Sequence, residues 1–189
     1  MTIKKLLIAN RGEIASRIIS SAHDMGISCV AIYTEADKDT PYVREADQAF
    51  KLSDSYLNSK EILDIALKSN SDAIHPGYGF LSENAAFANQ VKKLNIKWVG
   101  PSSNAIKKMG DKLTAKEIAI KANVPTLPMT SDPKKANSIG YPILVKAAAG
   151  GGGKGMRIVE KAKDLKESIK AAEREAEGGF GDKRVFLER

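Results

Sequence analysis

The segment best suited to chemistry is a run of four glycines, Gly150 to Gly153, between two stretches of strand-like composition. Each glycine loses more backbone entropy on folding than other residues, so such a run needs a compensating role. Because glycine has no Cβ atom, consecutive N–H groups can approach and surround an anion. Lys146 before the run and Lys154 after it add positive charge, and lysine is a common partner of phosphate. The pattern therefore predicts a glycine-rich flap that closes over the phosphates of a nucleotide.

The elements around the glycines argue against a P-loop. A P-loop connects a strand to a helix and carries the pattern G-x-x-x-x-G-K-[ST], whereas strand-like residues lie on both sides of this run. A flexible hairpin tip without a ligand is the alternative for this segment when it is considered alone.

The first turn of the chain, Asn10-Arg11-Gly12, follows a strand and opens a helix, as a dinucleotide site would. It lacks the pattern G-x-G-x-x-G, and Glu13 places a negative charge at the helix start, where a phosphate would bind. We therefore reject a nicotinamide or flavin cofactor here and expect this turn to hold the fold.

Residues 75–84 form another candidate ligand-binding segment, after a short strand and before a helix. In open α/β sheets, ligands bind beyond the carboxyl ends of the strands. Gly77 and Gly79 permit unusual backbone angles and the close approach of a ligand. Ser82 is the predicted N-cap of the helix. For His75, ligand binding and a purely structural role are equally consistent with the sequence.

Two further charged residues look ordinary when each is considered alone. Lys112 lies in a helical stretch, where a lysine is usually solvated. Glu188 precedes Arg189 at the end of a strand-like run, which is a common composition for a strand end.

The overall composition is that of a globular protein with ordinary apolar and charged content. Its 30 basic and 23 acidic residues give a net charge of +7, but no basic run carries interleaved aromatics, which disfavours nucleic acid. No apolar run approaches the roughly 18 residues that span a bilayer. No targeting segment precedes the first apolar run, residues 6–9. We expect a cytoplasmic protein that binds neither nucleic acid nor membrane.

Cys29 is the single cysteine, so an internal disulfide framework is excluded. One thiol also argues strongly against a cysteine metal site. The neighbouring residues 27–32 are mostly apolar, which favours a buried structural thiol over a nucleophile.

Strand-like and helix-like patterns alternate along the first hundred residues. A strand at 3–9, a helix at 13–25 and a strand at 27–33 make a β-α-β unit, and such units build parallel sheets. The remaining predictions for this region are helices at 60–69 and 83–94 and short strands that begin at 73 and 97.

These elements predict an α/β fold with three parts. Residues 1–103 form a Rossmann-like domain with a parallel sheet, and residues 104–125 form a helical linker that Asn104 caps. Residues 126–189 form a small α+β subdomain, because short strands and helices continue on both sides of the glycine run.

Taken together and in this order, the motifs resemble those of biotin carboxylases, which have an ATP-grasp fold. The resemblance spans the whole chain. It rests on Ile8 to Ala15, Ala73 to Asn84, Gly110-Asp111-Lys112, Gly140-Tyr141-Pro142, Lys146 to Met156 and Phe186-Leu187-Glu188. In these terms the first domain is a pre-ATP-grasp domain, and the small α+β unit is the lid subdomain of a truncated ATP-grasp domain.

The resemblance implies a function for the full-length protein. Family members phosphorylate bicarbonate with ATP and Mg²⁺ to give carboxyphosphate, and then carboxylate biotin on a carrier protein or domain. The implied ATP-binding residues are Lys112, Lys146, Gly151, Gly152, Gly153, Lys154, Glu188 and Arg189. The residues implied on the bicarbonate and biotin side are His75, Tyr78, Gly79 and Glu83.

Several family features are expected beyond Arg189. They are the acidic Mg²⁺ ligands, the general base for bicarbonate and the arginine that stabilises the biotin enolate. We therefore expect no catalytic residue and no metal site within these residues, and no carboxylase activity from them alone. A homodimer is implied for the full-length protein. The final acceptor stays open among acetyl-CoA, propionyl-CoA, methylcrotonyl-CoA, pyruvate and urea.

The chain departs from the family pattern in two loops. Residues 52–57 and 129–139 are both shorter than usual, and the second change could alter how the small subdomain swings. Two other functions stay open: another ATP-grasp ligase, of the carbamoyl-phosphate or purine-pathway type, and a non-catalytic module that kept the nucleotide fold. Residues 75–84 fit the other ligases poorly.

Overall fold

The computed structural model describes residues 2–149 and 156–189. The chain divides after Lys107 into two compact units, each with its own sheet. No helix among the described residues is long and apolar enough to cross a lipid bilayer.

The first unit is built on a five-stranded sheet in the order β3-β2-β1-β4-β5, with all neighbouring strands parallel. The middle strand has helices on both faces, which explains its continuous apolar sequence. Its Leu7 and Ile8 are fully buried. The strands are β1 (Lys5–Ile8), β2 (Ser28–Tyr33), β3 (Gln48–Lys51), β4 (Ala73–His75) and β5 (Lys97–Trp98). The predicted Rossmann-like sheet is confirmed.

Two apolar cores lie on opposite faces of this sheet, because successive side chains of a strand point to opposite faces. Ile8 packs with Ile19 of the first helix, whereas Leu7 packs with Phe87 of the fourth. Trp98 meets the Phe87 ring edge-on at 5.6 Å, and its indole N–H donates to the Pro101 carbonyl at 3.0 Å. The helices are α1 (Gly12–Asp24), α2 (Pro41–Glu45), α3 (Ser59–Lys68), α4 (Ala85–Lys93) and α5 (Ser103–Gly110), of which the last three residues lie beyond the division after Lys107.

The strand order places the point of reversal between β1 and β4. The chain proceeds from β1 to one side of the sheet and returns to add β4 on the other side. The amide of Ala9 donates to the carbonyl of His75 at 2.8 Å, so the two strands also end together. Carboxyl ends at such a reversal are where ligands bind in open α/β sheets. The segments after β1 and β4 are therefore the positions for a site in this unit.

Two predicted helix caps are wrong. Asn84 caps α4 by accepting the amide of Phe87 at 2.9 Å, whereas the amide of Ser82 donates to Gly79 within the preceding turn. At α5 the hydroxyl of Ser102 accepts an amide at 3.1 Å, and Asn104 lies inside the helix. Serine and asparagine are both good N-caps, so composition alone does not choose between neighbouring candidates.

A buried polar cluster supports the turn that begins α1. The Arg11 guanidinium pairs with the Asp37 carboxylate, and its Nε donates at 2.7 Å. Asp37 is 3% exposed and also accepts the Tyr56 hydroxyl at 2.6 Å. Tyr42 extends the cluster, with its hydroxyl 2.9 Å from that of Tyr56. The hydrogen bond from Arg11 outweighs burial and holds the pKa of Asp37 below its usual value of 3.8.

The second unit has a four-stranded antiparallel sheet in the order β6-β9-β7-β8. One face packs on a long helix, where Val145, Leu187 and Ala172 share a core. The elements are α6 (Lys112–Lys121), β6 (Met129–Thr130), α7 (Ala136–Ile139), β7 (Ile143–Ala147), β8 (Arg157–Val159), α8 (Leu165–Phe180) and β9 (Val185–Glu188). This confirms the small α+β unit. The predicted linker region contains two helices, because Asp111 ends α5 and caps α6 through the amide of Thr114 at 2.8 Å.

We predict that Asp37→Asn lowers the free energy of unfolding by about 1–3 kcal/mol at neutral pH, because a buried charge-assisted network loses its acceptor. The folded-state pKa of Asp37 is depressed, so its contribution is present above pH 3.8 and is lost as the pH falls through the folded-state value. Urea unfolding of both proteins at several pH values should show the difference shrinking in acid.

The matched control is Asp39→Asn, which removes an exposed carboxylate two residues away. It should change the unfolding free energy by no more than about 0.5 kcal/mol. Equal effects of the two substitutions would contradict the role given to the cluster.

Candidate functional site

The second unit brings three lysines and a glutamate to one region around β7 and β9. Three of them, Lys112, Lys146 and Glu188, were singled out from the sequence. The fourth, Lys116, was missed, although it follows Lys112 by one helical turn on α6. The spacing from Lys112 could have identified Lys116 as a candidate. Its pairing with Glu188 could not be predicted, because Glu188 lies 72 residues further along the chain.

Strand register places Lys146 and Glu188 on the same face of the sheet. Lys146 is opposite Phe186 and Leu144 is opposite Glu188, so the two charged residues belong to one alternation. The intervening Val145 and Leu187 point the other way, into the core under α8. The face that carries the charges is therefore the one turned away from α8.

The Glu188 carboxylate is held by two ammonium groups. Lys146 Nζ lies 2.9 Å from Oε2, and Lys116 Nζ donates to Oε1. Only 6% of Glu188 is exposed. Burial raises the pKa of its carboxyl, but the two lysine hydrogen bonds together outweigh burial, and the net pKa lies below the usual 4.5. Glu188 is therefore an anion that holds the lysine side chains in place.

Lys112 lies at the carboxyl end of β7. Its backbone amide donates to Ala148, and its Nζ is 3.3 Å from the carbonyl of Ala147 and 3.4 Å from that of Ala149. These carbonyls directly precede the glycine run. The start of α6 is fixed to this region by Arg184, whose guanidinium pairs with Asp111 at 2.8 Å. A cation is thus placed where the predicted flap begins.

Arg189 is oriented by a different set of contacts. Its guanidinium donates to the carbonyl of Ile139 at 3.2 Å, and its backbone amide donates to Pro128 at 3.1 Å. A Cβ added at Gly140 would lie 2.6 Å from the guanidinium. The described contacts of the Arg189 side chain are therefore with the turn before β7. The predicted flap residues Gly151, Gly152, Gly153 and Lys154 lie outside the described residues.

The segment after β4 is fixed by Asn10. This fully buried side chain donates to the carbonyls of Pro76 at 2.7 Å and Tyr78 at 2.9 Å. Gly77 has φ +64°, and a Cβ there would lie 2.6 Å from the Asn10 amide and 2.8 Å from Ile14. Only glycine fits this position, which agrees with the expectation that the first turn holds the fold.

His75 is positioned by its own segment. Its Nδ1 accepts the amide of Gly77 at 3.0 Å, so the neutral ring carries its proton on Nε2. Burial is the main cause of its lowered pKa, and Arg17 adds to the effect. Tyr78 is 61% exposed and donates to Glu13 at 2.8 Å. His75, Tyr78 and Gly79 lie in the first half of the segment 75–84, and Glu83, near its end, is exposed.

The described residues do not fit a Mg²⁺ site beside the lysines. Mg²⁺ takes oxygen ligands, usually one or two carboxylates together with phosphates. The buried carboxylate here, Glu188, already has an ammonium group on each oxygen. Among residues 2–149 and 156–189, the one group of histidine, cysteine and carboxylate side chains close enough to share an ion lies in the first unit.

Two protein families match the chain in succession. Residues 2–106 match the N-terminal domain of biotin carboxylase, and residues 111–189 match the ATP-binding domain of the carbamoyl-phosphate synthase L chain. The mitochondrial alpha subunit of methylcrotonoyl-CoA carboxylase from Dictyostelium discoideum is 48% identical over 99% of this chain and 29% of its own length. Biotin carboxylase 1 of Bacillus subtilis is 48% identical over 99% of this chain and 44% of its own length. The chain therefore spans less than half of the curated relatives that it matches first.

A solved structure agrees with these matches. The biotin carboxylase domain of Hydrogenobacter thermophilus 2-oxoglutarate carboxylase, a dimer in complex with MgADP, ADP and bicarbonate, superposes with a TM-score of 0.94 at 42% identity. The match covers all of this chain and 44% of that one.

We predict that Gly77→Ala destabilises the first unit more than Gly79→Ala does. Both glycines have positive φ, but a Cβ at Gly79 meets nothing within 4 Å. Left-handed strain costs about 1–2 kcal/mol at either position, and the clash at Gly77 adds about 1–3 kcal/mol more. Urea unfolding followed by tryptophan fluorescence measures the difference, and equal losses would contradict the packing described for Asn10.

Proposed function

Because this chain belongs to the biotin carboxylase family, we propose that it supplies the scaffold domain and part of the ATP-binding lid of a biotin-dependent carboxylase. In the full-length protein, ATP would phosphorylate bicarbonate, and the carboxyl group would then pass to biotin on a carrier protein or domain. The observation that carries the proposal is the position of Lys146 and Lys112 at the end of β7, where the glycine run begins.

The proposed role of the two lysines is electrostatic. Phosphoryl transfer depends mainly on positioned cations that neutralise the charge of the transferred group, with little covalent chemistry from the protein. Lys146 and Lys112 provide point charges for the phosphates. The glycine run would bring backbone amides to the same phosphates and exclude water when it closes.

Glu188 would act as a positioning residue for Lys146. With both carboxylate oxygens paired, Glu188 would hold the Lys146 ammonium group at 2.9 Å, on the sheet face turned away from α8. When Lys146 turns toward a phosphate, Lys116 remains on the other oxygen, so the buried carboxylate keeps a partner. The pair of lysines thus lets one ammonium group move without leaving an isolated buried charge.

Further assignments are proposed for residues 75–84 and for the full-length protein. Residues 75–84 would form part of the wall beside bicarbonate and biotin, because they extend from the strand ends at which ligands bind in this type of sheet. The acidic Mg²⁺ ligands and the general base would come from residues other than these. The homodimer and the carrier domain are proposed for the full-length protein, and the dimeric state of the Hydrogenobacter relative supports the first.

A segment of a carbamoyl-phosphate-forming ligase is the second candidate. The match of residues 111–189 to that ATP-binding domain favours it. The match of residues 2–106 is to biotin carboxylase instead, which favours our first proposal.

We predict weak ATP binding by the 189-residue chain, with a dissociation constant of about 1 mM or higher. Lys146→Met should weaken it at least tenfold, because a charge-assisted hydrogen bond to phosphate contributes about 1.5–3 kcal/mol. Calorimetric titration with ATP measures both values. Lys170→Met is the matched control, since Lys170 is an exposed lysine of α8, and it should leave the titration unchanged. A titration curve that Lys146→Met does not alter would contradict our placement of the phosphates.

We also predict that these residues alone do not carboxylate biotin, even with ATP, Mg²⁺ and bicarbonate at saturation. Labelled bicarbonate fixed into free biotin is the measurement, with a full-length biotin carboxylase as the positive control. Fixation above the protein-free blank would contradict the assignment of the catalytic groups to other residues.

A further inference from the structure

Three side chains of types that can bind a metal ion lie together in the first unit, at the amino ends of its strands, opposite residues 75–84. His23 lies in the last turn of α1, Cys29 lies at the start of β2, and Asp47 directly precedes β3. β2 and β3 are parallel, so their amino ends share one edge. The segments that begin with Asn10 and Pro76 leave the opposite edge, at the carboxyl ends. The cluster is therefore separate from any ligand bound there.

The donor atoms are already close to one another. The imidazole Nε2 of His23 is 3.0 Å from the Oδ2 atom of Asp47, and one ligand atom from each of the three residues lies within 4.8 Å of the others. The amide of Cys29 donates to the same carboxylate oxygen at 2.7 Å, which fixes Asp47 beside the thiol. The Cys29 sulfur lies 3.7 Å from the carbonyl oxygen of Ile27 and 4.0 Å from that of Ile19.

We propose that His23, Cys29 and Asp47 bind one divalent cation of the zinc type, with water as the fourth ligand. A thiolate with an imidazole and a carboxylate suits zinc, whereas magnesium and calcium take oxygen ligands. Thiolate and carboxylate together balance the charge of the ion. Within the first unit, this site would be distinct from residues 75–84, where bicarbonate and biotin are proposed to bind.

Small movements complete the geometry. Metal–ligand distances of about 2.0–2.3 Å in a tetrahedral site place donor atoms about 3.3–3.7 Å apart. The His23–Asp47 pair must open slightly, and the thiol must approach by about 1 Å. The side chains of His23 and Asp47 are 42% and 48% exposed, so both can rotate, and the ion can enter from solvent. Cys29 is the buried anchor of the site.

The surroundings favour a cation. The carboxyl end of α1 carries a partial negative charge, and His23 lies within its last turn. Asp24 and Glu45 line the same open surface cavity as His23, together with one basic residue, Arg17, so the acidic groups there outnumber the basic one. Without an ion, burial and the nearby Asp47 raise the pKa of the Cys29 thiol to about 11, so the metal must displace its proton.

A bound ion would join three separate segments. β3 is an edge strand and α1 covers one face of the sheet, and the ion would fasten both to β2. A ligand that binds the folded state alone stabilises it by mass action. The melting temperature of the chain should therefore rise with zinc concentration.

The experiment uses Co²⁺ as a spectroscopic probe on the 189-residue chain under reducing conditions, with Zn²⁺ as competitor. We expect one Co²⁺ per chain, a near-ultraviolet thiolate-to-cobalt charge-transfer band, displacement by Zn²⁺ and no displacement by excess Mg²⁺. His23→Gln and Asp47→Asn should each weaken binding at least tenfold, the lower limit for loss of even an outer-shell partner. Cys29→Ser should abolish the band.

The matched controls remove the same chemical groups elsewhere. His75→Gln changes the other histidine, and Asp54→Asn changes an exposed carboxylate, and both should retain the band and the affinity. His23 and Asp47 are partly exposed, so their variants test the site even if Cys29→Ser fails to fold. Absence of stoichiometric Co²⁺, binding without the thiolate band, or binding that His23→Gln leaves unchanged would each overturn the proposal.

Discussion

The hydrogen bonds of one buried amide, that of Asn10, define the backbone path at the carboxyl ends of β1 and β4, where we propose that ligands bind. The side chain leaves β1 and donates to two carbonyls of the segment after β4, while its oxygen accepts the amide of Arg11 at 2.9 Å. A buried amide is costly unless its groups are paired, so the segment must follow the path that satisfies it. The absence of a Cβ at Gly77 is the steric counterpart of the same contact. His75 ends β4 beside β1, and Tyr78 follows in the segment that Asn10 holds, so both lie next to this arrangement.

In the second unit, the main electrostatic feature is a group of lysines around one buried carboxylate. The ammonium groups of Lys116 and Lys146 both lie beside the carboxylate of Glu188. The negative charge of Glu188, a buried residue of β9, balances part of this positive charge. Each of its two carboxylate oxygens pairs with one lysine. In the proposed function, Lys146 would turn from Glu188 toward a phosphate, and Lys116 would keep the buried carboxylate paired.

The sequence was most informative where one local rule decides the structure. The apolar runs of β1, β2 and β7 and the helical periodicity of α1 were visible directly, and so was the order of motifs. β3 and α2 were not predicted, because β3 is largely exposed and α2 has only five residues. Long-range contacts were not visible either: Lys116 meets Glu188, and His23 meets Asp47 and Cys29, only after the chain has folded. Counting one thiol argued against a cysteine metal site, but counting cannot show which imidazole and carboxylate the fold brings beside it.

The single tryptophan has an optical consequence. Trp98 belongs to the first unit, where it contacts the edge of Phe87. Its emission therefore reports the melting of that unit, whereas far-ultraviolet dichroism sums the helices of both. The two signals can therefore be compared on the same sample. If the unfolding curves from emission and from dichroism do not coincide, the parallel sheet and the antiparallel sheet unfold separately, and neither labels nor truncation are needed to show it.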